Sequence, residues 1–164
     1  MNNNVKGFML KQGEGQPIEG TAFRYKIRGQ ETSGGLTYFE AIMQPGELVP
    51  PHTHTREDEF TFVYRGEIGV RIGTNDYVVP EGGVVFKPRG ILHSMWNPNH
   101  QAATLFETIT PAGFEGFFEE MGQLTIANQQ MDPAKVQAVA TKYGATFHWE
   151  LMPEFMAKVN RRPS

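Results

Sequence analysis

Four side chains able to hold a divalent cation recur within one stretch of this 164-residue chain: His52, His54, Glu59 and His93. His52 and His54 are two positions apart, and on an extended strand that spacing puts both imidazoles on one face. Glu59 follows across a short polar turn, Thr55 to Asp58. His93 lies too far along the chain for local pairing, so the intervening segments must fold back to bring it in. Imidazole and carboxylate together suit one first-row divalent ion: Fe, Ni, Mn, Co or Zn. The chain has no cysteine, which removes thiolate ligands, disulfides and a cysteine nucleophile. Four protein ligands on a six-coordinate ion leave positions for water, dioxygen or a chelating substrate, and an open position distinguishes a catalytic metal from a structural one.

The elements that must position these residues read as short strands. Thr21 to Arg28 alternates with Phe23, Tyr25 and Ile27 on one face, and Leu36 to Met43, Phe60 to Arg65 and Glu67 to Ile72 follow. Gly73-Thr74-Asn75-Asp76 predicts a hairpin turn into Tyr77-Val78-Val79. Val84 to Phe86, Leu92 to Trp96 and Thr104 to Thr110 complete the set. Regular turn signals between short β-rich runs predict a β-sandwich or barrel. Strand parity places Thr61 and Val63 on the inward face with Glu59, and Phe60, Phe62 and Tyr64 outward. It likewise makes Met95, on the face of His93, a better candidate to line a pocket than Trp96. Glu57 and Asp58 are expected in a solvated turn, Asn97 as the residue that fixes the turn after the second ligand segment, and His100 and His148 as surface or packing residues.

The period changes in the last third. Phe114, Phe117, Phe118 and Met121 form the apolar stripe of a helix. Asp132-Pro133 is a good helix start and Gly144 a good stop, with Val136, Val139, Ala140 and Tyr143 between them. A short third helix is expected over Pro153 to Val159. A net charge of -3 offers no basic stripe for phosphate backbones, so nucleic acid is not an expected partner. No run approaches the roughly 18 apolar residues of a membrane span. The opening Met-Asn-Asn-Asn-Val-Lys-Gly carries no apolar run of signal-peptide length, and a cytoplasmic location is the default expectation.

Glycines and prolines around the ligands sharpen the reading. Gly46, His52, His54, Glu59 and Gly66, then Gly82, Pro88, Gly90, His93 and Asn97, reproduce position for position the two-part pattern G-x5-H-x-H-x4-E-x6-G and G-x5-P-x-G-x2-H-x3-N. The sequence therefore resembles the cupins. Flanking segments, Glu31 to Gly35, His54 to Phe60, Thr110 to Glu115 and Thr141 to Gly144, are similar to single-domain cupins of the quercetin-dioxygenase-like type. The resemblance implies a mainly β fold, a double-stranded β-helix or jelly-roll barrel of two antiparallel sheets, with C-terminal helices. On that reading 1–164 is a single cupin domain, with the barrel over about 20–111 and a helical extension over about 112–164.

The resemblance also implies that His52, His54, Glu59 and His93 hold the metal and that Glu59 doubles as a catalytic general base. The implied activity is that of a dioxygenase-like oxidoreductase on a small, aromatic or enolisable substrate, with dioxygen as co-substrate. Cupins include many chemistries, so an oxygen-independent isomerase or cyclase and a binding-only barrel stand as alternatives. The family further implies a homodimer, with the run Val5 to Leu10 as a strand that could swap or abut at a sheet edge.

Overall fold

The computed structural model describes residues 6–126 and 132–160. Its eleven strands form two antiparallel sheets that face each other as the walls of a jelly-roll barrel. In chain order they are β1 (Gln16–Pro17), β2 (Phe23–Ile27), β3 (Thr37–Met43), β4 (Leu48–His54), β5 (Asp58–Arg65), β6 (Glu67–Ile72), β7 (Asn75–Pro80), β8 (Val84–Lys87), β9 (His93–Trp96), β10 (Ala103–Thr110) and β11 (Ala145–Phe147). One sheet runs β1-β2-β3-β10-β5-β8 and the other β11-β4-β9-β6-β7. The expected strands are all present. Residues 6–10 join no strand of their own chain, and Val5 lies outside the described residues.

Alternation decides what faces the barrel interior. Along β5, Glu59, Thr61 and Val63 are buried while Phe60, Phe62 and Tyr64 are exposed, as parity predicts. The core is built from Val63, Ile68, Val70, Leu105 and Ile109, each at most 1% exposed. The β6–β7 hairpin pairs Ile72 with Asn75, and Gly73 takes the positive φ of 59° that the first position of a tight II′ turn requires.

Three α-helices follow the barrel: α1 (Glu115–Ile126), α2 (Pro133–Lys142) and α3 (Met152–Asn160). The Asp132 side chain accepts a bond from the Ala134 amide, capping α2 as its position ahead of Pro133 predicts. Gly144 follows α2 with φ 75° and turns the chain into β11. That strand was not expected in a tail read as helical. It pairs with β4, setting Ala145 against His54 and Phe147 against His52, so the extension is stitched to the strand that carries both histidines.

Candidate metal centre

Each of the four sequence-predicted ligands projects into the barrel from a strand. His52 and His54 come from β4, Glu59 from β5 and His93 from β9. His52 and His93 face each other in register, while Glu59 crosses from the opposite sheet. The four residues are between 0% and 7% exposed, and one ligand atom from each lies within 4.8 Å of all the others.

Backbone carbonyls set the imidazole tautomers. His52 Nδ1 lies 2.7 Å from the Pro50 carbonyl oxygen and His93 Nδ1 lies 3.0 Å from that of Ile91. A carbonyl can only accept, so each Nδ1 carries the hydrogen and each Nε2 keeps its lone pair for a metal. His54 has Nε2 3.2 Å from Glu59 Oε1 and Nδ1 3.4 Å from Glu57 Oε2. Glu59 Oε2 is 3.1 Å from His93 Nε2. His54 Nε2 and His93 Nε2 are buried and face the Glu59 oxygens without a well-formed hydrogen bond, a costly state for polar atoms unless something else engages them. A divalent cation fits that donor set and would satisfy both nitrogens at once.

The electrostatics agree with neutral imidazole at His52. Burial, reinforced by the neighbouring His93 and His54, holds its pKa well below the ordinary histidine value. At His54 burial also opposes the charge, but the Glu57 and Glu59 carboxylates outweigh it and raise the pKa to about 9. For Glu59, burial would favour the protonated form; Lys87, aided by His54 and His93, prevails and keeps the carboxyl well below its ordinary range.

Several residues at the centre were misjudged or missed from sequence. Glu57, expected in a solvated turn, is only 4% exposed and faces His54. Asp58 does lie nearer solvent, paired with Arg89 at 2.8 Å. Lys87 on β8 and Glu107 on β10 went unnoticed, yet both are buried: Lys87 Nζ lies 2.8 Å from Glu59 Oε2 and 2.9 Å from Glu107 Oε1. The available signal was parity. Glu107 falls between Leu105 and Ile109 on the inward face of β10, and Lys87 shares its face with Val85.

Other expectations hold. Met95 is inside, 3.4 Å from the Thr61 hydroxyl, whereas Trp96 faces away and packs on Phe155. Asn97 donates to the Met43 and Gln101 carbonyls and accepts from the Asn99 amide, fixing its turn. Of the other apolar residues near the ligand strands, Phe62 and Phe86 point outward, 37% and 49% exposed. The rings nearest the ligands come instead from the C-terminal extension. Phe114 meets His54 edge-on at 4.4 Å between centroids, and Phe147 stacks on His52 at 5.3 Å.

Comparison with known proteins agrees with this geometry. Residues 39–109 match the family model of the cupin domain, and the jelly-roll fold and the cluster of three histidines and one glutamate agree with that match. Germin-like protein subfamily 2 member 4 of Arabidopsis thaliana is 38% identical over 77 residues, covering 44% of this chain and 34% of that protein. Nectarin-1 of Nicotiana plumbaginifolia is 40% identical over 68 residues, 38% of this chain and 30% of its own length. The chain thus spans about a third of the curated relatives it matches. Among solved structures, KdgF from a Halomonas species superposes with a TM-score of 0.56 at 16% identity, covering 68% of this chain and 99% of that one. A predicted oxalate decarboxylase from Thermotoga maritima gives 0.53 at 20% identity, with 54% and 78% covered. At these identities the likeness is one of fold. Among the described residues no helix is long and apolar enough to cross a membrane.

Proposed function

We propose that this chain is a metal-dependent enzyme, an oxidoreductase resembling the quercetin dioxygenases, acting on a small substrate with two adjacent oxygens. The observation that carries the reading is the set of four buried ligand atoms within 4.8 Å of one another, two of them imidazole nitrogens that face the oxygens of Glu59. A chain that needed only an apolar core would gain nothing from burying three imidazoles and a carboxylate together.

His52, His54, Glu59 and His93 would hold a single Fe, Ni, Mn, Co or Zn ion. When bound, such an ion would acidify a coordinated hydroxyl and stabilise the resulting oxyanion. Glu59 is the one carboxylate among the four. With its Oε2 against Lys87, it would loosen its Oε1 from the cation and take the hydroxyl proton there. Phe114 and Phe147 press on two of the imidazoles and keep water from that side, which strengthens every charge interaction inside. Aromatic walls support a flat, enolisable or aromatic substrate. The predicted oxalate decarboxylase among the structural neighbours supports the same motif of adjacent oxygens. For assembly we propose a homodimer, supported by the exposed aromatic outer face of the six-stranded sheet.

The test is elemental analysis of protein purified without added metal, followed by oxygen-electrode traces with flavonols and enolisable dicarbonyls. One equivalent of a transition metal with substrate-dependent oxygen uptake is the expected result. Turnover without oxygen uptake would replace the dioxygenase reading with an isomerase or cyclase. Metal with neither turnover nor uptake, but with small-molecule binding, would leave a binding barrel. A metal-free protein that takes up no added ion would end the reading altogether.

A further inference from the structure

The barrel interior holds a second charged group beside the four ligands. Lys87 stands directly across the β5–β8 pairing from Glu59 and is 1% exposed. Its ammonium contacts Glu59 Oε2 at 2.8 Å, Glu107 Oε1 at 2.9 Å and Met95 Sδ at 3.7 Å, so each of its three donors faces a partner. Glu107, 4% exposed, receives the Thr61 hydroxyl on its other oxygen at 2.8 Å. Thr61 in turn sits opposite Glu107 in the β5–β10 register. Buried ion pairs of this kind seldom stabilise more than apolar residues of the same size. Their placement against a ligand therefore asks for another reason.

We infer that Lys87, anchored by Glu107, is a positioning residue: it occupies Oε2 of Glu59 and leaves that ligand one oxygen, Oε1, to offer a metal. The inference rests on the metal-centre reading above and deepens it. Both oxygens of Glu59 are within 3.2 Å of an imidazole nitrogen, so a freed carboxylate could present both and fill a position a chelating substrate needs. Glu107 keeps the pull of Lys87 in check. With two carboxylates to serve, the ammonium holds Glu59 without withdrawing it from the histidines.

Two variants give opposite signs. In Glu107→Gln, Lys87 keeps Glu59 as its only anionic partner, and Mn(II) affinity, measured by competition with a chelator, should fall about tenfold or more. In the charge-neutral Lys87→Met/Glu107→Gln double variant, expected to fold because it buries no unpaired charge, affinity should return to the wild-type level or exceed it. Its Mn(II) electron paramagnetic resonance spectrum should also change as the second oxygen is released. A pair that serves only packing would leave affinity within twofold in both variants and the spectrum unaltered, which would overturn the assignment. Should Glu107→Gln fail to fold, as circular dichroism would reveal, the double variant alone decides: an unchanged spectrum refutes the role. Wild-type protein that binds no Mn(II), Fe(II) or Ni(II) would instead refute the metal centre itself.

Discussion

At the scale of single residues, the centre is a set of imidazoles oriented by acceptors behind them. His52 and His93 use backbone carbonyls, whereas His54 relies on Glu57 at 3.4 Å. That difference makes Glu57 the replaceable orienter. Glu57→Gln removes the carboxylate that fixes the His54 ring, and metal affinity should drop about 10- to 100-fold; calorimetric titration of the ion at neutral pH checks it. His93→Ala goes further. It removes a donor outright and should reduce bound metal to a small fraction of an equivalent while the β-sheet circular dichroism signal persists, since the core about Val63, Ile68 and Val70 does not depend on it. Loss of the sheet signal in that variant would mean that His93 supports the fold rather than the ion.

Elements carry a second set of consequences, centred on α3. Trp96 lies across Gly69 in the β6–β9 register, and a Cβ at Gly69 would come 2.1 Å from the Trp96 ring. The absent side chain lets the indole lie flat over β6 and meet Phe155 of α3 at 5.9 Å. Gly69→Ala should therefore lower stability by about 1–3 kcal/mol through overpacking, read as a shift in the urea midpoint. The same helix is clipped ionically. Arg71 holds Asp76 at 2.6 Å and Glu154 at 2.6 Å, and Lys158 reaches Asp76 from α3.

Burial alone would raise the Asp76 carboxyl, but Arg71 and Lys158 outweigh it and hold it below the ordinary value of 3.8. A depressed carboxylate contributes stability that is present above the unfolded-state pKa and lost as pH falls through the folded one. Asp76→Asn should thus cost no more than about 1 kcal/mol near neutrality. The gap from wild type should close below about pH 4, and thermal unfolding at stepped pH would follow it. A gap that persisted unchanged at pH 2 would show that Asp76 acts by packing.

What could be read in advance divides along physical lines. The clustering of His52, His54, Glu59 and His93, the strands and the α2 cap were legible because each follows from a local rule: residue spacing, alternation, or proline after aspartate. Glu57 was misread since a turn of acidic residues looks solvated, and its burial against His54 follows from how the turn folds back on β4. Three residues, Ala145 to Phe147, are too few for alternation to register, so β11 became visible only through its pairing with β4. Lys87 and Glu107 occupied inward positions in plain sight. A lone charge at inward parity gains meaning only when its partner, on a strand distant in sequence, is brought beside it.

Viewed as a whole, the molecule has one face unlike the rest. The outer side of the six-stranded sheet presents Phe60, Phe62, Tyr64 and Phe86 at 37–49% exposure, with Val84 at 68% and Ile42 at 41%. Phe60 stacks on Phe86 at 4.8 Å, and Tyr38 and Tyr64 meet Phe106 at 5.4 and 5.6 Å, so the patch is continuous. On side chains of about 200 Å² each, the four exposed aromatics leave roughly 340 Å² in water. The two aliphatics bring the sum to about 500 Å², large for a monomer and more than half of the roughly 800 Å² each partner gives to a standard interface.

Charge is sparse along the strip: Thr104 and Thr108 flank Phe106 on β10, Glu40 opposite Phe106 is buried and paired with Lys26, and Arg65 stands at one end, opposite Thr104. A face whose central charges are already paired can meet its own copy about a twofold axis with little like-charge cost. The protein should therefore sediment as a dimer at micromolar concentration. Phe60→Lys/Phe86→Lys, which sets two cations per subunit into that face, should yield a monomer with an unaltered circular dichroism spectrum and full metal content. If the wild-type chain remains monomeric at about 100 µM, an affinity weaker than that of ordinary specific pairs, this face serves some other partner and the homodimer is wrong.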